Sequence, residues 1–188
     1  MMKIGITGSI ASGKTTASKI LSKKNGPLFN ADKIVKKLYV KDKFKKLVAK
    51  RLKFKLKSNF KKELKKTLLL NDKNLKKLEK IIHPEVRKAM QFFVKKNKRA
   101  KILFFEIPLL VESKLYNYFD MIFLIKCKKS IRLKRYKFNG GNIKLFSFLN
   151  SQQLMDEKKA KFCDYIIVNN SSLSVLKKKL LNILKKYE

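Results

Sequence analysis

The chain has 188 residues, 45% of them hydrophobic, with 49 Lys and Arg against 13 Asp and Glu and a formal net charge of +36. That apolar content suffices for a real core and excludes wholesale disorder, and the length fits one domain with a small insert. No apolar run approaches the roughly 20 residues that span a bilayer, and the short N-terminal apolar stretch runs straight into a glycine-rich loop, so neither a membrane span nor a signal peptide is expected.

In chain order, residues 3–7 (Lys-Ile-Gly-Ile-Thr) read as a short apolar strand. Gly8, Ser9, Ile10, Ala11, Ser12, Gly13, Lys14 and Thr15 then match the phosphate-loop pattern G-x-x-x-x-G-K-[ST] at every fixed position. Residues 16–24 read as a helix with Ala17, Ile20 and Leu21 on one face. Strand, glycine-rich turn and helix N-terminus together make an anion site, because backbone N–H groups line the loop and the helix dipole favours negative charge. In that setting Lys14 reaches the β- and γ-phosphates of a nucleotide and the Thr15 hydroxyl holds Mg²⁺. The competing reading is a chance match of a degenerate pattern, and the flanking strand and helix argue against it.

Residues 27–29 predict a second short strand and 31–38 a helix with Ile34, Val35 and Leu38 as its apolar face. From 40 to 70 the sequence is lysine-rich, with Phe44, Leu47, Val48 and Leu52 at helical spacing, and reads as a helical insert. Residues 74–98 predict one or two further helices, with Pro84 marking a helix start or a kink. Residues 101–105 are a continuous apolar run, the signature of a strand buried on both faces of a parallel sheet, and 121–125 and 165–168 repeat it. Residues 129–138 predict a helix, 139–142 (Asn-Gly-Gly-Asn) a mobile loop, and 173–184 a closing amphipathic helix. Helices alternating with buried strands make the fold class α/β, a doubly wound parallel sheet that binds ligands at the carboxyl ends of its strands.

With so few acidic residues, each is informative. Asp32 lies just beyond the second strand, on the edge that carries the phosphate loop, and reads equally as a base for an attacking hydroxyl or as a first-turn helix acid. Glu106 directly follows the 102–105 strand, where phosphate-loop proteins place a carboxylate that orders Mg²⁺. Glu112 reads as a surface charge or as a group supporting the site, and His83, the one histidine, reads as structural. Cys127 and Cys163 have neither metal-ligand nor C-x-x-C spacing and read as small buried thiols of a reducing cytoplasm. Arginine accounts for only five of the basic residues, and lysine is spread along the whole chain alongside abundant Asn, Ile and Phe. That is the mark of an AT-rich genome rather than of a built nucleic-acid site, though the field still favours anionic substrates.

Taken together these residues resemble the dephospho-CoA kinase family. The segment Gly5 to Thr15 is similar to the family's phosphate loop, and Asn30-Ala31-Asp32 to its Asp-Ala-Asp segment. His83-Pro84 with Val86 and Arg87, Pro108-Leu109-Leu110-Val111-Glu112, and the series Gln153, Lys159, Asp164, Asn169 resemble its later motifs, in order. The resemblance implies transfer of the γ-phosphoryl of ATP to the ribose 3′-hydroxyl of dephospho-CoA, with Asp32, Lys14 and Arg135 catalytic. Loop residues 8–15, Thr16 and Asn169 would bind the nucleotide, and Thr15 and Glu106 the Mg²⁺. It further implies a single kinase domain over 1–188 with an acceptor-binding helical insert at about 40–98 and a lid at about 129–153. The partner would be dephospho-CoA, with no membrane or specific nucleic acid, in a cytoplasmic monomer or weak homo-oligomer. Three departures stand out: Ser9 and Ala11 replace frequent glycines, Asn30 replaces the first acid of its segment, and Phe138-Asn139-Gly140-Gly141 stands where an Arg-Asp pair is usual. The other readings are a different nucleoside or nucleotide kinase of the same fold and a basic nucleic-acid-binding protein.

Overall fold

The continuous apolar runs become the strands of one parallel sheet. The computed structural model describes residues 1–56 and 59–187, so two residues of the expected helical insert, 57 and 58, lie outside the described residues. Its strands are β1 (Met2–Thr7), β2 (Leu28–Asn30), β3 (Ile102–Glu106), β4 (Met121–Lys126) and β5 (Tyr165–Val168). They run in the order β2-β3-β1-β4-β5, and every pairing is parallel. The order reverses at β1, so the crevice that doubly wound sheets use for ligands opens at its carboxyl end. The helices are α1 (Lys14–Ser22), α2 (Ala31–Leu38), α3 (Asp42–Leu52), α4 (Phe60–Leu70), α5 (Asp72–Lys96), α6 (Lys129–Phe138), α7 (Ile143–Ser151), α8 (Asp156–Ala160) and α9 (Leu173–Leu184).

The chain forms two compact units, one of Met1–Asn30 with Lys96–Glu188 and one of Ala31–Lys95. In the first unit, Ile4, Ile6, Phe104, Phe123 and Ile125 of the sheet pack with Ala17 and Leu21 of α1 and Leu176, Leu180 and Leu184 of α9. The four-residue spacing in α9 puts its three leucines on one stripe. On the opposite sheet face Phe105 meets Phe119 edge-on at 5.3 Å, and a Cβ on Gly5 would come 2.7 Å from Leu110 Cδ1. Both faces are covered, which is why β3 and β4 are apolar without alternation. The β5 run differs from expectation. It is the sheet's edge, where Ile167 is buried but Ile166 and Val168 are 50% and 42% exposed. Two aspartates finish the ladder at the strand starts. Asp120 Oδ2 accepts from Lys3 N–H at 2.6 Å and Asp164 Oδ2 accepts from Ile122 N–H at 2.7 Å.

In the second unit, Phe44, Val48 and Leu52 of α3 pack with Phe60 and Leu64 of α4 and Leu78 of α5. Leu47, expected on that face, is 43% exposed, because the strict four-residue series 44, 48, 52 already fills the stripe. Asn59 caps α4 by accepting from Lys62 N–H at 3.1 Å. Pro84 does not start a helix: α5 is one helix of 25 residues with Pro84 inside it. The ring removes one helical donor, and the helix continues past it. Burial, with Arg87 nearby, holds the His83 imidazole below its ordinary range.

Candidate active site

The site is built where β1 ends. Gly8 has φ +146, and a Cβ on it would run into the Ile125 carbonyl of β4. Gly13 has φ +97 and caps α1, and a Cβ on it would run into the Asn169 amide. These are the two fixed glycines of the pattern, one needed for close backbone approach and the other also for a left-handed cap. The first turn of α1 carries no acidic residue of its own, so no side chain within it competes for its N–H groups.

Ala11, between them, also stands in the left-handed region, at φ +58. The carbonyls on either side explain why. The Ile10 carbonyl accepts from Arg132 Nη1 at 3.3 Å. The Ser12 carbonyl accepts from Asn169 Nδ2 at 2.8 Å and from Arg135 Nη1 at 3.4 Å. With both flanking peptides held, the conformation of Ala11 is over-determined and its strain persists. Removing that methyl relieves about 1–2 kcal/mol of left-handed clash, against about 0.4–1 kcal/mol of extra unfolded-state freedom. Ala11→Gly is therefore expected to match or exceed the parent in denaturant stability, whereas Ala11→Val falls below it. A clear loss of stability in Ala11→Gly would show that no strain is stored there.

Lys14 is nearly buried, 8% exposed, and its Nζ donates to the Ser9 carbonyl at 2.9 Å across the loop. The Ser9 hydroxyl donates to Asp156 Oδ1 at 2.6 Å, and Ile10 N–H donates to Gln153 Oε1 at 2.8 Å. Among the described residues the buried Ser12 hydroxyl has no hydrogen-bond partner. Thr16 follows on the exposed side of the first turn of α1. A cleft of about 480 Å³ beside the loop is bordered by residues that include Ser9, Cys127, Arg132, Gln153, Asp156 and Asn170.

Glu106 is the last residue of β3 rather than the first beyond it, in register with Ile6 of β1 and Asn30 of β2. It is 1% exposed and accepts from the Thr15 hydroxyl, from the Ser18 hydroxyl at 2.9 Å and from the Asn30 amide. Three donors satisfy a carboxylate that burial would otherwise destabilise. A hydroxyl beside a carboxylate is a hard oxygen donor set of the kind Mg²⁺ takes, with water and phosphate completing its shell. Among the described residues there is no cluster of three or more His, Cys, Asp or Glu, as a caged metal would need. The residues at Thr15 and Glu106 thus fit a magnesium ion shared with a phosphate.

Arg135 donates through Nη1 to the Cys127 sulfur at 3.5 Å as well as to the Ser12 carbonyl. Burial pushes the Cys127 thiol up, while Arg135 and Arg132 pull the other way. Cys163 is pushed up to about 12, chiefly by burial. Asn169 is 6% exposed and is fixed at both ends, its N–H on the Lys126 carbonyl at 2.8 Å and its amide on the loop. Asp32 is the second residue of α2, exposed, and belongs to the second unit, two residues along the chain from Asn30. Glu112 is no surface charge: its Oε1 lies 2.9 Å from Nζ of the fully buried Lys159 and accepts from Leu154 N–H at 3.1 Å. Sequence reasoning missed Asp156 altogether and did not foresee that Gln153 and Arg132 grip the loop. No local pattern signals contacts made 147, 143 and 122 residues apart.

Three comparisons bear on this geometry. A family model for dephospho-CoA kinase matches residues 2–174. The dephospho-CoA kinase of Fusobacterium nucleatum is 34% identical over 187 residues, covering 96% of this chain and 95% of that protein. Among solved structures, a Thermus thermophilus protein superposes with a TM-score of 0.80 at 25% identity, covering 100% of this chain and 98% of that one. Dephospho-CoA kinase from Campylobacter jejuni superposes with a TM-score of 0.65 at 28% identity, covering 98% and 96%.

Proposed function

The chain belongs to the dephospho-CoA kinase family, and from that premise we propose how its own residues carry the ATP-dependent phosphorylation of dephospho-CoA that completes coenzyme A. The loop N–H groups and the N-terminus of α1 hold the β- and γ-phosphates, and Lys14 exchanges its bond to the Ser9 carbonyl for phosphate oxygen. Thr15 directly, and Glu106 through water, are the residues that would hold Mg²⁺, which when bound neutralises charge across the β- and γ-phosphates. Asp32 accepts the proton of the ribose 3′-hydroxyl as that oxygen bonds to the γ-phosphorus. The bond from the γ-phosphorus to the bridging oxygen breaks, and ADP leaves. Arg135 spreads charge from the transferring group, with Asn169 keeping the loop in shape. Thr16 adds a first-turn N–H and hydroxyl to the nucleotide site. The helical segment of about 40–98 takes the acceptor. The segment of about 129–153 closes over the nucleotide as a lid, because phosphoryl transfer that admits water becomes ATP hydrolysis.

The observation that carries this reading is the phosphate loop at the end of β1 with its Thr15 hydroxyl bonded to Glu106 at the end of the neighbouring strand. No described helix is long and apolar enough to cross a membrane. We take the enzyme to act in the cytoplasm as a monomer or weak homo-oligomer, with no specific nucleic-acid partner. The test is ADP release with Mg-ATP in the presence of dephospho-CoA, adenosine, AMP or no acceptor, with product mass read alongside. Turnover with dephospho-CoA alone, adding one phosphate, is the expected result. Turnover with adenosine or AMP instead would move the substrate to a nucleoside or nucleotide. Salt-sensitive polyanion binding with no turnover would favour a charge-driven binding protein.

A further inference from the structure

Arg132 is 7% exposed, and among the described residues its hydrogen-bond acceptors are neutral oxygens: the Cys127 carbonyl at 3.1 Å, the Ile10 carbonyl at 3.3 Å and Asn150 Oδ1 at 2.8 Å. Its guanidinium also lies over the Phe146 ring, 5.8 Å from the centroid. A cation so occupied is not available to a phosphate. From its place in α6 it joins the residue after β4, the far end of α7 and the phosphate loop instead.

The acceptor it finds on the loop is half of a pair. The Ile10 N–H donates to Gln153, just beyond α7, while the Ile10 carbonyl accepts from Arg132 in α6. These groups belong to two successive peptide planes, and each is gripped from a different end of the 129–153 segment. A third tie, from Ser9 to Asp156, follows three residues after Gln153. Between the two stems lies Gly140, at φ +76, where a Cβ would meet nothing within 4 Å. The stems are fastened and the turn is open at Gly140, while the next residue, Gly141, packs against Tyr136 of α6.

We propose that Arg132 and Gln153 are positioning residues that staple both stems of the lid to the Ile10 peptides, so that closure of the lid and the shape of the phosphate loop are set together. The inference rests on the kinase reading above, since it needs the 129–153 segment to serve as a lid. A stapled stem confines movement to the turn at Gly140, and it makes a misplaced lid show as a misshapen loop. Loosening either staple should therefore admit water to the γ-phosphate and weaken ATP binding together, without touching the acceptor.

The experiment compares the full-length parent with Arg132→Met, Gln153→Met and Gln153→Glu. The last keeps an oxygen to accept from Ile10 N–H. Each is measured for ATP hydrolysed without acceptor, phosphoryl transferred to dephospho-CoA, KM for each substrate, thermal stability, and amide exchange over residues 8–12. The two methionine variants are expected to raise the ratio of hydrolysis to transfer tenfold or more and to raise KM for ATP several-fold. KM for dephospho-CoA should hold and exchange at 8–12 should quicken, with Gln153→Glu close to the parent. Methionine variants that remain folded with an unchanged ratio and unchanged loop exchange overturn the proposal. So does a Gln153→Glu variant as impaired as Gln153→Met, which would make the contact mere packing. Gln153→Met keeps the test decisive if Arg132→Met does not fold. Amide exchange needs no substrate. A parent that fails to phosphorylate dephospho-CoA therefore defeats the kinase reading, while exchange in the variants still decides the staple.

Discussion

Asp32→Asn is expected to lower kcat by about 10²–10⁴-fold, the span typical of losing a general base. The substitution is nearly isosteric and falls at an exposed position in the first turn of α2. The lost charge at a helix N-terminus costs about 0.3–1 kcal/mol of stability. The affinity for ATP should hold, because the phosphates are assigned to the loop and to Lys14. A kinetic signature follows: kcat and kcat/KM fall together, with Tm within a few degrees of the parent. Asn30 makes this a clean test, since the segment's other acid is absent and Asp32 is its one carboxylate. If Asp32→Asn turned over near the parental rate, the base would have to be sought elsewhere.

Lys159→Met should be the most damaging change to stability away from the reacting groups. Lys159 is fully buried and its partner Glu112 only 16% exposed, so removing the cation leaves a carboxylate largely cut off from water. One of its oxygens keeps the Leu154 N–H, and the other, buried, has no hydrogen-bond partner among the described residues. Breaking such a pair by one partner typically costs about 3–5 kcal/mol, which here means a Tm lower by roughly 6–20 °C. Replacing both partners with apolar residues, Glu112→Leu with Lys159→Met, should recover most of the loss, because the uncompensated charge is then gone. Denaturant unfolding of the two single variants and the double variant measures this directly. A single variant that loses less than about 1 kcal/mol would mean that water reaches Glu112 when the pair is broken.

The sequence shows clearly what local chemistry controls. The phosphate loop, the helices at 31–38, 129–138 and 173–184 and the strand at 165–168 lie at the expected residues, because each is set by neighbours within a few positions. The failures have physical causes as well. Pro84 reads as a helix start or a kink, but no helix starts there, because α5 tolerates one missing donor in 25 residues. The β5 run reads as doubly buried, but burial depends on what lies beyond the strand, and β5 has a single strand neighbour. Ala11 reads only as a departure from a frequent glycine, and the donors on either side reveal that it is strained. The scarcity of arginine held more information than the total charge: two of the five, Arg132 and Arg135, hold carbonyls of the loop, where a planar fork outperforms an ammonium.

The place of β1 in the sheet also shapes how the protein is made. Of the five strands of the sheet it is synthesised first, yet it is the central one, and both of its neighbours come late, β3 from Ile102 and β4 from Met121. At about 5–20 residues per second, Ile4 and Ile6 wait on the order of 5–20 s before the first of those neighbours is even synthesised. Pairings this distant in sequence are slow to close even in a finished chain. A strand held at the centre of the folded sheet is thus left without partners at birth, and the nascent chain, more than the mature protein, is where chaperones have something to hold.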